Sequence, residues 1–471
     1  MSLDTVRPAS PRPTVEGVLA RSYRALTVGL LALVSLTAFE ALAVGAVMPV
    51  VARDLDGVPL YALAFATPVA TALVGMVLAG SWADARGPAG PVRAGAALFV
   101  AGLLTGGLAP TMPVLLAGRA VQGVGSGLLG VALYVAVARC YPDQLRPKLL
   151  AAYSAAWVLP GLAGPGLAGL VAERLGWRWA FLAVAVLAPA AALPVLARLR
   201  SASSTLRRRM RVVTPALAWA VLAGAAVCLL QVVGAVHATT GTPFVVLLAT
   251  VGLVLIVVSG RRLMPPGTFR LARGLPAVVA LRGAAGAAFA SADVFVPLYL
   301  VRERGLPVSG AGLVMTLGTL AWFSGSWLQG RLAVPQRRPL LVQAGLAAIA
   351  MGTLSTGTML AAGAPTALIV AGWPVTAFGM GLALPVLAVL AMDLATPRQQ
   401  GAAGSALQLA DALFASVGIT LAGAVFGALL AVAPAAAYLS AFAVSGSVAV
   451  AAVALAPRVS SGRRGVGGHE E

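Results

Sequence analysis

Charge is what this sequence has least of. Only 10% of its 471 residues are Asp, Glu, Lys or Arg, against roughly 25% in an ordinary soluble domain. A chain this poor in charge and 60% hydrophobic cannot cover its own apolar surface in water, which excludes a soluble globular fold. Histidine is nearly missing: His237 and His469 are the two, far apart in the chain. A metal centre or a His-dependent hydrolase would therefore lack its ligands or its base, and neither is expected. The two cysteines, Cys140 and Cys228, fall at a helix end and inside an apolar helix, which argues against a disulfide. No G-x-x-x-x-G-K-[ST] loop occurs, so an ATP-driven pump contained in this chain is excluded. Residues 1–24 lack an apolar core followed by a small-residue cleavage site, and read as a cytoplasmic tail.

What is present is a series of apolar blocks of about 20 residues, the length that crosses a hydrocarbon layer of ~30 Å. Helix is the only reading of these blocks, because lipid offers no partner to an unpaired backbone group. Spans are expected at about 26–50, 60–82, 92–110, 113–138, 148–172 and 177–197. Two more, at about 214–236 and 243–259, form a hairpin between the basic stretches Arg198 to Arg211 and Arg261 to Arg273. Six further spans follow at about 276–300, 308–329, 339–360, 366–391, 402–430 and 434–456. The expected fold is an all-α polytopic membrane protein with 14 transmembrane helices: two pseudo-symmetric six-helix bundles and an inserted two-helix hairpin. Its parts are a cytoplasmic tail (1–25), an N-terminal bundle (26–197), basic links carrying the hairpin (198–275), a C-terminal bundle (276–456) and a second cytoplasmic tail (457–471).

A net charge of +19 raises the question of nucleic acid, and the placement of the basic residues answers it. Lys and Arg collect in alternate loops, whereas the opposite side holds Arg53, Arg174, Arg178, Arg302 and Arg304. That asymmetry puts both termini in the cytoplasm of a cell-membrane protein, and no nucleic-acid partner is expected. Arg119 and Arg282 are exceptions that lie within spans.

Three motifs stand on the first bundle. The loop after the second span reads Gly80-Ser81-Trp82-Ala83-Asp84-Ala85-Arg86-Gly87. Gly80 would let two helices touch, and Asp84, at a helix end, would pair or cap neighbouring amides with Arg86 as its basic companion. The second half carries a degenerate copy, Gly325-Ser326-Trp327-Leu328-Gln329-Gly330-Arg331. The fourth span contains Arg119-Ala120-Val121-Gln122-Gly123-Val124-Gly125, and the fifth Pro160-Gly161-Leu162-Ala163-Gly164-Pro165-Gly166-Leu167-Ala168-Gly169. Together these resemble the G-x-L-a-D-r-x-G, R-x-x-Q-G-x-G and antiporter motifs of the major facilitator superfamily. Pro160 and Ala168 stand where the antiporter motif has glycines. Glu40, nine residues before Pro49, is similar to the acid of the first-span pattern in fourteen-span drug:proton antiporters, with Leu42 and Gly45 at that pattern's Thr and Asn positions.

The resemblance implies a secondary transporter, and within the superfamily the fifth-span motif points to export. Buried ionisable residues then become the candidates for coupling to protons and substrate: Glu40, Asp293, Arg119 and Asp411. At ~1.5 Å per residue, Glu40 lies roughly 21 Å from the inner end of its span and Arg119 roughly 9 Å from the outer end of its own, at similar depth. Asp293 occupies the helix that pairs with that of Glu40 under the repeat, and an ion pair with Arg302 or Arg304 is its structural alternative. Gln122, Tyr153, Trp157, Phe289, Trp322 and Gln408 are candidates to line a cavity. The expected activity is proton-driven export of small lipophilic or cationic compounds, without a cofactor, by a monomer in contact with lipid. A facilitator or proton symporter of a neutral metabolite is the second reading, and a transporter-like sensor or intramembrane enzyme a remote third.

Overall fold

A computed structural model describes residues 17–142, 144–202, 215–236, 242–332, 334–396 and 400–459. Most of both tails, the arginines at 207–211, His237 and His469 lie outside the described residues. Among those residues every long element is a helix and no strand occurs. The first group comprises α1 (Arg24–Asp54), α2 (Leu63–Arg86), α3 (Ala89–Gly107), α4 (Met112–Cys140), α5 (Arg146–Ala155), α6 (Val158–Leu175) and α7 (Trp179–Ala202). A pair follows, α8 (Pro215–Val236) and α9 (Thr242–Leu263). The second group is α10 (Leu275–Asp293), α11 (Phe295–Arg302), α12 (Val308–Leu332), α13 (Arg338–Ala361), α14 (Thr366–Leu394), α15 (Gln400–Leu430) and α16 (Pro434–Leu455).

Eleven helices among the described residues are long and apolar enough to cross a membrane. The span expected at 148–172 is not one of them, because it is interrupted between α5 and α6; α8 contributes a shorter apolar run, Pro215–Leu230. Proline explains the interruption. Pro160 has no N–H to give the carbonyl of Ala156 four residues back, and Ser35 Oγ of α1 donates to that carbonyl instead at 3.0 Å. The same spacing accounts for the break between α10 and α11, where Pro297 withholds the N–H that would reach the carbonyl of Asp293. The next carbonyl, of Val294, accepts from Tyr61 Oη at 2.9 Å. In lipid such freed groups need partners from neighbouring helices, and for the carbonyl of Ala156 the side chain of Ser35 supplies one.

In the first group α4 lies between α2 and α3, α1 packs on α6 and α7, and α3 packs on α7. In the second, α14 lies between α12 and α13, α10 packs on α15 and α16, and α13 packs on α16. Two seams join the groups, α6 with α12 and α2 with α15, and α8 rests on the second seam with α9 behind it. At the end where α1 terminates, an aromatic chain crosses between the groups. Tyr61 meets Phe295 at 6.3 Å between ring centroids, Phe295 meets Phe426 at 4.8 Å, and Phe426 meets Tyr438 at 5.0 Å. Glu173 at the foot of α6 accepts from the backbone N–H of Ser309 at 2.8 Å near the same end.

Candidate functional site

The glycines of α4 decide which of its faces carries chemistry. A Cβ on Gly123 or Gly127 would overlap Pro68, Thr71 or Ala72 of α2, whereas one on Gly118 or Gly125 would overlap Gly102, Gly106 or Phe99 of α3. With both flanks pressed against neighbouring backbone, the face between them carries Arg119 and Gln122. Arg119 Nη1 donates to a carboxylate oxygen of Glu40 on α1 and to Gln122 Oε1 at 2.8 Å, while Nε donates to the carbonyl of Ala64 at 2.9 Å. That carbonyl is available because Pro68, four residues on in α2, cannot donate to it. Glu40 and Arg119 are each 5% exposed and Gln122 2%. Arg119 therefore does not reach its charge out to the headgroups: it closes a buried site that ties α1, α2 and α4 together.

A second ion pair lies in the other group. Arg282 of α10 donates through Nε at 3.0 Å and Nη2 at 2.6 Å to Oδ2 of Asp411 on α15, and through Nη1 to the carbonyl of Leu384 on α14 at 3.4 Å. Gly286 makes room for it, since a Cβ there would press on the Asp411 carboxylate. The side chains are 18% and 27% exposed, so this pair is wetter than the first.

Asp293 stands apart from both. It is the last residue of α10, half-buried, and makes no hydrogen bond or ion pair with any described residue. The alternative partners are engaged elsewhere: Arg302 pairs with Glu303 at 3.5 Å, and Arg304 donates to Tyr299 Oη at 3.0 Å and the carbonyl of Ala364 at 2.6 Å. Arg282, Gly286, Phe289 and Asp293 recur at helical spacing and share one stripe of α10. Phe289 meets the rings of Trp322 and Trp373, each at 5.2 Å, so an aromatic cluster sits one turn from the unpaired carboxylate.

The remaining candidates divide. Tyr153 packs on Tyr134 at 4.6 Å, Trp157 is 42% exposed at the break between α5 and α6, and Gln408 is exposed one turn from Asp411. In the loop after α2 the expectation for Gly80 fails, because a Cβ there would meet nothing within 4 Å. Close approach of α2 to α4 is made at Gly75 instead, against Val124 and Leu128, and Gly325 of α12 makes the contact with Phe378 of α14. Asp84 and Arg86 are both exposed and unpaired with one another. The carbonyl of Ala83 is taken by Arg139 of α4 at 2.9 Å, and Gly87 ends the helix at φ +81°, a conformation open to glycine. In the fifth-span motif, Pro160 sits buried at the break and Gly164 faces Phe39 of α1. Gly161, Pro165 and Gly169 form an i, i+4 row against α12, meeting Thr319, Gly312 and Ser309.

The pairing of Arg282 with Asp411, the Ser35 and Tyr61 hydrogen bonds and the place of Trp373 were not read from the sequence. Prolines four residues after Ala64 and Ala156 were the available signal for the carbonyls that accept from Arg119 and Ser35. Pro385 obeys the same rule, freeing the carbonyl of Gly381 for Ser326 Oγ at 3.2 Å.

A family model described as the Major Facilitator Superfamily matches residues 28–418. An uncharacterized MFS-type transporter of Mycobacterium tuberculosis is 29% identical over 81% of this chain, which spans 56% of that longer relative. A probable multidrug-efflux transporter of the same organism is 27% identical over 80% of this chain and 82% of its own length. Multidrug resistance protein 3 of Bacillus subtilis is 23% identical over 86% and 79%. Among solved structures, an auto inhibited POT family peptide transporter superposes with a TM-score of 0.65 at 15% identity, covering 91% of this chain and 97% of its own. The human organic anion transporter MFSD10 gives 0.60 at 15%, covering 93% and 99%. At such identities the likeness is one of fold.

Proposed function

The chain belongs to the Major Facilitator Superfamily, and from that membership we propose a proton-coupled antiporter that exports small lipophilic or cationic compounds from the cell. The proposed layout is fourteen spans. α5 with α6 counts as one and α10 with α11 as another, so that six, two and six helices run through the membrane with both termini cytoplasmic. Matching neighbours support reading the two groups as repeats: α4 sits between α2 and α3 as α14 sits between α12 and α13, and α1 meets α6 and α7 as α10 meets α15 and α16. Arg119 and Trp373 then hold the same place, each seven residues into its helix. In this layout the aromatic chain from Tyr61 to Tyr438 lies at the outer end, and Trp157 and Gln408 are exposed within the bundle.

The observation that carries the reading is the difference among three acids within the helical bundle. Glu40 is held by Arg119 and Asp411 by Arg282, while the Asp293 carboxylate has no hydrogen-bond or ion-pair partner among the described residues. An unpaired carboxylate in a low-dielectric setting is unstable as a bare anion and gains most by taking either a proton or a cation. Asp293, one turn from Phe289 and its neighbours Trp322 and Trp373, offers an anion near an aromatic cluster, which suits a lipophilic cation. Exchange at this site links the two fluxes. A cation bound from the cytoplasm is displaced by a proton on the outer side, and loss of that proton to the cytoplasm resets the carrier. Glu40 with Arg119 acts as the fixed pair against which the first group is ordered.

In everted vesicles with an acid lumen, substrate uptake by this protein should alkalinise the lumen, and Asp293→Asn should abolish that signal while the protein remains folded. Export and lumen response unchanged in the variant would remove Asp293 from the coupling role. Uptake with no proton movement, or with the opposite sign, would favour the facilitator or symporter reading.

A further inference from the structure

Between Glu173 and Asp293 the chain contains no acidic residue at all, yet the last turn of α9 and the link that follows it gather Arg261, Arg262, Arg270 and Arg273. Spread along a mobile loop, such arginines would serve topology alone. Here the loop is built. Gly267 at φ +92° and Leu271 at φ +54° fold it back, its amides bond internally from Arg270 and Ala272 to the carbonyl of Gly267, and Gly274 bonds to the carbonyl of Arg458. Phe269 fixes it to the bundle, its ring 5.9 Å from that of Phe414 and packed against Gly260. The result is a cavity of about 260 Å³ whose wall includes Arg261, Pro265, Thr268 and Arg270. Both arginines are exposed and neither guanidinium group has a hydrogen-bond or ion-pair partner among the described residues.

The cavity also has an apolar approach. Leu247, Val251, Val254 and Val258 are exposed on α9 and recur at three- and four-residue spacing, and Arg261 is the next member of that stripe. Arg262 lies over the ring of Trp219 at 5.8 Å on the neighbouring helix, an amphipathic ring placed at the basic end of the hairpin. A ligand matching both features has a phosphate-sized anion at one end and a long apolar body at the other. We propose that this cavity binds the phosphate headgroup of an anionic phospholipid, whose acyl chain lies along the exposed stripe of α9. Two unpaired guanidinium groups supply the charge, and their planar forks suit phosphate oxygens. The bound lipid would clamp the inserted hairpin to the first helix of the second group.

The test uses the full chain in phosphatidylcholine nanodiscs, titrated with a fluorescent phosphatidylglycerol. R261Q/R270Q should weaken binding about 30-fold. R261K/R270K, which keeps both charges, should lose only a few-fold, and R86Q/R337Q, with basic residues removed from other loops on the same side of the protein, should bind as the unaltered chain does. Inorganic phosphate at millimolar concentration should fail to displace the lipid. Three results would overturn the proposal: equal loss in R86Q/R337Q, which marks diffuse charge; full displacement by inorganic phosphate, which marks a site for the free anion; and binding unchanged in R261Q/R270Q. A R261Q/R270Q chain that elutes as aggregate is replaced by R270Q alone, for which a loss of about five-fold is expected and no loss refutes the site.

Discussion

Replacing Arg119 with Met should unfold the first helix group far more readily than replacing Arg119 and Glu40 together. Breaking a buried ion pair from one side leaves the other charge uncompensated, at about 3–5 kcal/mol. Arg119→Met does this to Glu40 and also abandons the carbonyl of Ala64, which Pro68 has already deprived of its helical donor; an unsatisfied buried group adds about 1–3 kcal/mol. Glu40→Leu leaves Arg119 with Gln122 and Ala64 but without its countercharge, again at about 3–5 kcal/mol. In the double variant no charge is left buried, and the remaining cost is that of the Ala64 carbonyl and the Gln122 side-chain oxygen, about 1–3 kcal/mol each and common to Arg119→Met. The two single effects should therefore exceed the double by roughly 4 kcal/mol or more, a coupling readable in a double-mutant cycle. Urea-induced unfolding in mild detergent, followed by tryptophan fluorescence, supplies the four stabilities. Additive effects within about 0.5 kcal/mol would show that the pair is not the closed, desolvated site described above.

The two helix-contact regions make opposite predictions for glycine. Gly80→Ala should leave thermal stability and export unchanged, because its surroundings are open, whereas Gly127→Ala, pressed on the backbone of Ala72, should lower the unfolding midpoint by several degrees. Asp411→Asn should leave Arg282 without a countercharge and depress transport and stability together, with partial rescue by Arg282→Gln in the same chain; no rescue would show that the two act separately. Gly169→Leu should force α6 away from Ser309 and slow alternation between the two open states, read as a fall in maximal export rate with the substrate concentration at half-rate little changed. Ser35→Ala should destabilise the first group by about 1 kcal/mol through the abandoned carbonyl of Ala156, checked by the same urea titration.

The apolar blocks and the membrane-crossing helices were legible because bilayer thickness writes itself into block length. The motif of the fourth span was legible at the level of Arg119 and Gln122, since an arginine within a span demands a polar partner, and depth alone brought it level with Glu40. What depth could not reveal was azimuth. Asp293 was matched to Glu40 by its place in the repeat, yet the acid that found an arginine in the second group is Asp411, through the stripe of α10 that carries Arg282. Gly80 shows the converse: a motif glycine suggested contact, and the contact is made five residues earlier at Gly75, because the crossing point of two helices depends on their tilt. Prolines carried more information than was taken from them. Pro68, Pro160 and Pro385 each mark a carbonyl four residues earlier that a side chain from another helix occupies.

The hairpin of α8 and α9 covers the seam between α2 and α15, and among the described residues no further helix overlies the seam between α6 and α12. In a bilayer this gives the molecule one flank walled off from the acyl chains and one directly bathed by them. A solute that partitions into the membrane and approaches sideways thus meets an asymmetric object, one seam overlaid by the inserted hairpin and the other closed by the small-residue row of α6 packed on α12.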